Sequence, residues 1–354
     1  MLPAESVHCV VTSPPYWGLR DYGVDGQLGL EECVDCGWHG TPAAFRSVLA
    51  TQGVGPCGSC FVCHMVAVFS EVRRVLRSDG TLWLNMGDGY AGSWGAQGRQ
   101  GKSGILAGRN ACAARQIAAA AKRTTGTGQG KTPGLKPKDM IAQPWRLALA
   151  LQASGWWLRS DIIWHKLNPM PEAVKDRPTS AHEHIFLFSK SQKYHYDADA
   201  VKYDCTRTAH AGRTDGKIGP MYEDGIGKGF NNRAGTWRNT YVATKANLRN
   251  VWPVVASGFK EAHFATFPPA LVEPCIKAGC PHGGTVLDPF FGSGTVGLVA
   301  RRLGRQFVGI ELSPEYCRMA AARIERETGL FGPVEIVPTP CAGLQITTQE
   351  GAAS

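Results

Sequence analysis

The clearest periodicity lies in the last third of the chain, where short apolar runs alternate with amphipathic segments. Apolar runs typical of buried strands occur at 285–288 (TVLD) and 306–312 (QFVGIEL). Segments with apolar residues at helical spacing flank them, at 268–279, 295–304 and 313–327. Strands that alternate with helices in this way predict a parallel sheet with helices packed against it.

The first half of the chain shows the same two kinds of pattern. A strand is expected to contain the run HCVV and to end at Pro14, because proline cannot donate to a strand ladder. A helix is predicted over 66–80, with Asp79-Gly80 as the turn into a strand at 81–88. The remaining elements are a helix at 144–155, which has Pro144 near its first turn, and strands at 156–166 and 183–191.

Two long stretches have no periodicity, are rich in glycine and are basic: 91–138 and 204–245. The first holds nine Lys or Arg residues and no Asp or Glu. The whole chain has 354 residues, a net charge of +9 and a pI near 9.0, which favours a polyanionic partner such as double-stranded DNA. Both stretches are expected to contact phosphates, with plain disordered loops as the alternative.

The run VLDPFFGSGT predicts a binding turn at the carboxyl end of a strand. The strand ends at Asp288, Gly292 and Gly294 allow a tight turn, and Thr295 opens a helix. The next strand ends at Glu311, 23 positions after Asp288, where a carboxylate can accept hydrogen bonds from ribose hydroxyls. The full G-x-G-x-x-G fingerprint is absent, and an acid before the glycines suits a cationic group better than a pyrophosphate.

The cysteines predict a metal site in a protein of the cytoplasm. The chain has twelve cysteines and no export signal, which argues for thiols or metal ligands rather than disulfides. Two Cys-x2-Cys pairs separated by twenty residues have the spacing of a four-thiolate structural zinc site, with the ligands Cys33, Cys36, Cys57 and Cys60. Cys63 is a rival ligand, His39 is a further candidate, and unrelated thiols are the alternative.

The segments DPFFGSGT and FVGIEL closely resemble the S-adenosylmethionine site of the DNA amino-methyltransferases, and TSPPYW resembles their catalytic S-P-P-Y motif. Because the catalytic motif comes first in the chain, the order is the permuted one of the β group of that family. The segment AHFATFPPALVEPCI also looks like a family segment. The resemblance implies a cofactor site made of Asp288, Pro289, Phe290, Gly292, Gly294, Thr295, Glu311, Thr266 and Phe267.

The fold implied by the resemblance is an α/β, Rossmann-like methyltransferase sheet with helices on both faces, a small zinc-binding insertion and basic loop insertions. One methyltransferase domain is expected over 1–330, with a catalytic half (1–90 and 139–203) and a cofactor half (246–330). Within or after it we expect a cysteine-rich zinc insertion at 31–64, DNA-contacting insertions at 91–138 and 204–245, and a tail at 331–354.

The chemistry implied by the motif is methyl transfer to the exocyclic amine of a base flipped out of DNA. Ser13 Oγ and the Pro14 carbonyl would accept hydrogen bonds from the amine, Pro15 would help to stiffen this backbone, and Tyr16 would stack on the base. In the family, a first-position serine tends to accompany N4-cytosine methylation, so cytosine is favoured over N6-adenine. A restriction–modification or phage enzyme is expected, with a cognate restriction nuclease as a candidate partner.

Two other functions stay open: methylation of glutamine in proteins by enzymes with a related motif, and a non-catalytic zinc-bearing DNA-binding protein. Cys275 follows a proline, as in C5-cytosine methyltransferases, but its apolar helical surroundings favour a core residue. His182 and His184 have no further ligands nearby in the sequence, so a structural or base-contacting role is favoured over metal binding. The acidic strand that family members have before the catalytic motif is missing, and VEIVP near 334 is a candidate replacement.

Overall fold

The structure is a computed structural model, and it divides the chain into two compact units, Met1–Asp197 with Arg249–Ser354, and Ala198–Leu248. Within these units it describes residues 2–18, 24–31, 33–35, 57–91, 135–136, 138–204, 245–256, 268–329, 334–338 and 344–348. No helix in those ranges is long and apolar enough to cross a membrane.

The larger unit is built on a nine-stranded sheet. Its strands are β1 (Val7–Thr12), β2 (Leu76–Met86), β3 (Trp157–Lys166), β4 (His182–Ser189), β7 (Val251–Val254), β8 (Thr285–Asp288), β9 (Gln306–Glu311), β10 (Val334–Pro338) and β11 (Leu344–Thr348). Their order in the sheet is β10-β11-β9-β8-β1-β2-β4-β3-β7. Strands β9, β8, β1 and β2 run parallel to one another, and β4 is antiparallel to both of its neighbours.

Five α-helices accompany the sheet in the described residues, and they pack in two groups. They are α1 (Phe61–Val75), α2 (Gln143–Ala153), α3 (Pro269–Gly279), α4 (Thr295–Arg302) and α5 (Pro314–Thr328). Helix α1 packs on α2, whereas α4 packs on both α3 and α5. A mixed α/β fold around a largely parallel sheet is therefore confirmed, and the predicted β8-turn-α4-β9-α5 alternation is present.

The helix predicted over 66–80 is wrong at both ends, because α1 begins at Phe61 and ends at Val75. Strand β2 starts directly at Leu76, so Asp79-Gly80 lies inside a strand and is not a turn between two elements. Strand β1 pairs with β2 at Val7↔Leu76 and again at Cys9↔Thr81, and the extra β2 residues form a bulge between these positions. The pairing of the strand with its neighbours outweighs the local turn preference of Asp-Gly.

The C-terminal edge of the sheet also differs from the expectation. The VEIVP segment is the outermost strand, β10, and the strand that pairs with β9 is β11, in the antiparallel direction. The place beside β9 is therefore filled by Leu344–Thr348 and not by the segment near 334.

The smaller unit is described only in part. It contains a short 3₁₀ helix, Asp199–Val201, followed by the antiparallel pair β5 (Tyr203–Asp204) and β6 (Lys245–Ala246). The basic stretch 204–245 lies almost wholly outside the described residues, as does the stretch 91–138, so their predicted DNA contacts stay predictions.

Candidate active site

The predicted functional residues converge because neighbouring parallel strands end at one edge of the sheet. Strand β8 ends at Asp288, β9 ends at Glu311, and Ser13 follows the end of β1 directly. Strand β4 runs in the opposite direction, so its first residues, including Glu183, lie at this same edge. The carboxyl edge of such a sheet is where α/β proteins bind their ligands.

The glycine turn after β8 is shaped by Glu311. The Gly292 N–H donates to Glu311 Oε2 (2.8 Å) and the Ser313 N–H donates to Glu311 Oε1 (2.9 Å). Gly294 precedes α4 with a φ of 78°, and a Cβ on it would lie 2.9 Å from the Ala320 Cβ. Glycine is therefore required at 294 by both its backbone conformation and the close approach of α5.

Arg323 of α5 supports the same turn from the protein interior and was missed by the sequence analysis. Its side chain is 6% exposed. Its Nη1 donates to the Ser293 carbonyl (3.1 Å), to Ser293 Oγ (3.2 Å) and to Thr295 Oγ1 (3.1 Å). The only sequence signal was an arginine between Ala320, Ala321 and Ile324, on the apolar face of an otherwise ordinary amphipathic helix.

Asp288 is a buried carboxyl group at the junction of two strands. It is 1% exposed, and its Oδ1 accepts hydrogen bonds from Thr12 Oγ1 (2.6 Å) and the Phe290 N–H (3.0 Å). Burial raises the pKa of Asp288 to about 7, and the negative charge of Glu311 adds to the rise. Burial also raises the pKa of Glu311. In the part of the chain that is described, no basic side chain offsets the burial of either group.

This pair of carboxylates fits S-adenosylmethionine. A cation that binds at the strand ends compensates the burial of two acids, and carboxylate oxygens can accept hydrogen bonds from ribose hydroxyls. Gly292 leaves room for the ligand, since a Cβ there meets only the Phe290 carbonyl oxygen, at 4.0 Å. Pro289 and Phe290 are half-buried beside it. Thr266 and Phe267 lie outside the described residues.

The catalytic motif is tied into a hydrogen-bond network that the sequence analysis did not find. Tyr16 OH donates to Glu183 Oε2 (2.8 Å). Asn85, at the end of β2, places its Nδ2 3.3 Å from Ser13 Oγ, 3.0 Å from Tyr16 OH and 3.0 Å from Glu183 Oε2. Lys166, the last residue of β3, donates from Nζ to Glu183 Oε1 (2.5 Å). Three strands thus fix the side chains that follow β1.

Burial defines the chemistry of this network. Tyr16 has its pKa raised well above the usual value, first by burial and then by the negative charge of Glu183, so its hydroxyl stays protonated and donates. The Asn85 Oδ1 atom is buried and has no hydrogen-bond partner in the described part of the chain. Pro14 is buried and Pro15 half-buried, so the proline pair forms a rigid wall of the site.

The loop after the motif is held by a second set of contacts. Gln143, at the start of α2, accepts from the Trp17 N–H (3.0 Å) and donates from Nε2 to the Gly87 carbonyl (3.0 Å). Trp17 Nε1 donates to the Glu31 carbonyl (2.9 Å). Gln143 thereby connects the catalytic motif to the end of β2.

The cysteine region is described in part, and it brings the rival ligand Cys63 next to two of the predicted ligands. Cys57, Cys60 and Cys63 bring their sulfur atoms within 4.8 Å of one another. Cys33 lies beside them, because its carbonyl accepts a hydrogen bond from the Phe61 N–H (3.2 Å). Cys36 and His39 lie outside the described residues, so the prediction that includes Cys36 is not tested there.

Two weaker sequence signals have structural explanations. Cys275 is 2% exposed in α3, and its Sγ donates to the Leu271 carbonyl (3.3 Å), so the expectation of a core residue is confirmed. His184 pairs through Nδ1 with Asp161 Oδ1 (2.9 Å) and stacks on Phe186 at 5.6 Å.

Comparison with known proteins identifies the family. The sequence model of a family described as DNA methylase matches residues 7–322, which is most of the chain. This chain belongs to the DNA methylase family. The match confirms the resemblance to the β group of DNA amino-methyltransferases that the motifs indicated, and DNA is the substrate expected for such a methylase.

Relatives and solved structures agree with this assignment. The methylase is 44% identical over 327 residues to the type II methyltransferase M.Cfr9I of Citrobacter freundii, covering 92% of this chain and 84% of that protein. It is 45% identical over 325 residues to M.XycI of Xanthomonas campestris pv. cyanopsidis, covering 92% and 83%. In fold it is similar to the PvuII DNA methyltransferase (cytosine-N4-specific), with a TM-score of 0.51, 18% identity, and 93% and 86% of the two chains covered.

Proposed function

We propose that the methylase transfers a methyl group from S-adenosylmethionine to N4 of a cytosine that is flipped out of double-stranded DNA at a specific sequence. The observation that carries this proposal is the buried hydrogen bond from Thr12 Oγ1 to Asp288 Oδ1, 2.6 Å long. It joins the acidic turn of the cofactor half directly to the residue before Ser13. This contact supports a proposed catalytic motif that lies beside the proposed cofactor site.

The residues of the cofactor half would bind and orient the methyl donor. Asp288 would take a cationic part of the ligand, Glu311 would bind the ribose hydroxyls, and the half-buried Pro289 and Phe290 would supply apolar contact. Gly292, Gly294 and Thr295 would keep the turn close to it, with Thr266 and Phe267 as further contacts. When bound, S-adenosylmethionine supplies an electrophilic methyl group on a sulfonium.

The catalytic half would hold the target amine in a reactive orientation. The lone pair of an exocyclic amine is conjugated with the ring, which makes the nitrogen a poor nucleophile. Hydrogen bonds from its two N–H groups to Ser13 Oγ and to the Pro14 carbonyl would turn the lone pair toward the methyl group. After transfer the nitrogen would carry a positive charge and would release one N–H proton to solvent water, while the donor would be left as a neutral thioether; Ser13 Oγ and the Pro14 carbonyl would only accept hydrogen bonds.

Tyr16 would form the platform on which the flipped base stacks. Stacking on an aromatic side chain is worth about 1–3 kcal/mol per base, which compensates part of the cost of unstacking. The platform is preorganised, because the Tyr16 hydroxyl is bound to Glu183 at 2.8 Å and lies 3.0 Å from Asn85 Nδ2. The Lys166–Glu183 ion pair balances the charge behind it.

The choice of cytosine N4 over adenine N6 is supported by the first residue of the motif. Ser13 is short, and Asn85 Nδ2 already lies 3.3 Å from its Oγ, so a single oxygen is presented to the amine. The relatives M.Cfr9I and M.XycI are named type II methyltransferases. We therefore assign this methylase to restriction–modification, with a cognate nuclease as partner, in the cytoplasm. A structural zinc ion at the cysteine cluster is the second proposed cofactor.

Sequencing of modified bases in DNA from cells that express the methylase tests the proposal. The expected result is N4-methylcytosine at one short sequence, and no modified base in cells that express Ser13→Ala. N6-methyladenine at that sequence would overturn the choice of base. Unmodified DNA, from cells in which the full-length protein is folded and binds S-adenosylmethionine, would overturn the proposed reaction.

A further inference from the structure

Three cysteine sulfur atoms meet at the start of α1, and a fourth cysteine, Cys33, lies near them. Cys57 Sγ and Cys63 Sγ are 3.8 Å apart, and both lie within 4.8 Å of Cys60 Sγ. Cys57 Sγ also accepts the Cys60 N–H at 3.3 Å, as in the tight turns that present thiolates to a metal. All three come from one short segment, Cys57-x2-Cys60-x2-Cys63.

Cys33 supplies a fourth sulfur from a different segment. The thiols of Cys57, Cys60 and Cys63 are among the neighbours that act on the Cys33 thiol. The backbone holds it there, because the Phe61 N–H donates to the Cys33 carbonyl (3.2 Å) and the Val62 N–H donates to the Val34 carbonyl (3.0 Å). Residues 33–34 therefore bind two of the unpaired N–H groups at the start of α1.

The distance between the Cys57 and Cys63 sulfur atoms matches a zinc site and not a disulfide. A zinc–sulfur distance of about 2.3 Å in a tetrahedron places the sulfurs about 3.8 Å apart. The Cys57–Cys63 distance of 3.8 Å agrees with that value and is far from the S–S bond length of about 2.05 Å. His64 is not available as a fifth ligand through Nδ1, because that atom is 2.9 Å from Glu31 Oε1. Four thiolates leave no open position, so the ion would be structural.

We infer that one zinc ion binds Cys33, Cys57, Cys60 and Cys63, and that this ion clamps the loop that follows the catalytic motif to helix α1. In this ligand set Cys63 replaces Cys36, which the sequence spacing predicted as a ligand. The inference that zinc binds is argued from the positions of the cysteines alone. The importance of the clamp for methylation rests on the proposed function.

The clamp acts through Glu31, two residues before Cys33. Glu31 accepts from the Trp17 indole (2.9 Å) through its carbonyl and from the Gly29 N–H (2.8 Å) through Oε2. The Gly18 N–H in turn donates to the Gly29 carbonyl (2.8 Å). Residues 16–18 are thereby connected to 29–31, and 29–31 to the cysteine centre. Without the ion, this connection rests on the two backbone hydrogen bonds to residues 33–34 and on the contact of Glu31 with His64.

Metal analysis of the full-length protein, purified without added zinc, tests the ligand set. We expect about one zinc per chain in the wild type, in Cys36→Ser and in Cys275→Ser, a control with a buried thiol in α3. We expect at least a tenfold loss of bound zinc in Cys33→Ser and in Cys63→Ser. Retention of zinc by Cys63→Ser together with its loss from Cys36→Ser would overturn the ligand set. A zinc-free wild type, or iron in its place, would overturn the zinc assignment.

Hydrogen exchange of the wild type before and after removal of zinc by a strong chelator tests the clamp. We expect faster exchange in peptides that cover 13–18 and 24–31, and unchanged exchange in peptides that cover β8 and α4. Retained binding of S-adenosylmethionine would show that the rest of the fold is intact. Equal exchange at 13–18 with and without zinc would overturn the clamp. None of these readouts depends on methylation, so the proposed function can fail separately.

Discussion

The substitution Asp288→Asn tests two effects of the Asp288 charge separately: its cost to the stability of the fold and its contribution to cofactor binding. Asp288 Oδ1 accepts hydrogen bonds from Thr12 Oγ1 and from the Phe290 N–H, and an asparagine Oδ1 can accept the same two. The substitution therefore keeps the local hydrogen bonds and removes the charge that burial disfavours.

The size of the effect follows from the pKa of Asp288, about 7 in the folded protein against the ordinary 3.8. Between these two values the folded state binds more protons than the unfolded state, so the free energy of unfolding falls as the pH rises. The full difference is on the order of 4 kcal/mol and is present above about pH 7. Asp288→Asn is neutral at every pH, so its stabilising effect should be smaller at pH 5 than at pH 8, where it is close to its maximum.

Binding of S-adenosylmethionine should show the opposite response to the substitution. An ionised Asp288 attracts a cation, whereas the protonated group does not, so affinity should fall up to tenfold for each pH unit below about 7. Asp288→Asn should bind the cofactor weakly and without this pH dependence. Urea unfolding of the ligand-free protein at pH 5, 6, 7 and 8 measures the first effect, and calorimetric titration at the same pH values measures the second.

Asp176→Asn is the matched control. Its side chain is 57% exposed and paired with Lys138, which lowers its pKa, so its removal should leave the decline in stability between pH 5 and pH 8 in place. The reasoning is refuted if Asp288→Asn and the wild type have parallel curves of stability against pH. It is equally refuted if the wild type binds S-adenosylmethionine with the same affinity at pH 5.5 and pH 8.

Three further substitutions test the other parts of the site. Ser13→Ala removes one acceptor of the amine, so single-turnover methyl transfer should slow by about 10²–10³ while calorimetry shows unchanged cofactor affinity. Glu183→Gln breaks the ion pair behind the base platform and should lower kcat, whereas Glu172→Gln, an acid outside the network, should leave steady-state kinetics unchanged. Gly294→Ala should destabilise the fold in urea by more than about 1 kcal/mol, because its Cβ would lie 2.9 Å from a side chain of α5. Gly26→Ala, with a similar φ of 76° and no atom within 4 Å of a Cβ, should cost less.

Local sequence patterns were sufficient to predict the helices, strands and glycine turn of the cofactor half. The run from β8 to α5 has strong periodicity, its elements are short, and its turn is made by glycines at 292 and 294 whose φ values are 51° and 78°. The catalytic motif was equally visible, because Ser13 to Tyr16 are consecutive in the chain. Sequence reasoning works here because each functional group lies within a few residues of a strand end.

The β2 strand shows where local patterns fail. Leu76 is fully buried, and a Cβ on Gly80 would lie 2.6 Å from the Leu76 side chain, so this glycine allows the chain to pack closely within a bulged strand. Lys190, just after β4, binds the Leu76 carbonyl through Nζ (2.7 Å) and the Gly80 carbonyl through its N–H (3.3 Å). These partners lie more than a hundred residues away, so an Asp-Gly pair alone could not reveal them.

The network around Glu183 was hidden for the same reason. Asn85, Lys166 and Glu183 lie on three different strands, and each is near the end of its strand, next to an apolar run. Only the antiparallel direction of β4 brings Glu183 to the edge where β2 and β3 end. Such a convergence depends on strand order and direction, which no spacing within one segment encodes.

The strand order also explains how the two halves of the site are coupled. Strands β1 and β8 are neighbours in the sheet, so Thr12 and Asp288 meet at 2.6 Å although 276 residues separate them. On the catalytic side, Lys166 balances Glu183, whereas the described residues provide no such cation for Asp288. A cationic ligand would supply such a charge. Binding of a sulfonium would favour the ionised Asp288, strengthen its hydrogen bond from Thr12, and so fix the backbone of Ser13 at the moment when the methyl donor is in place.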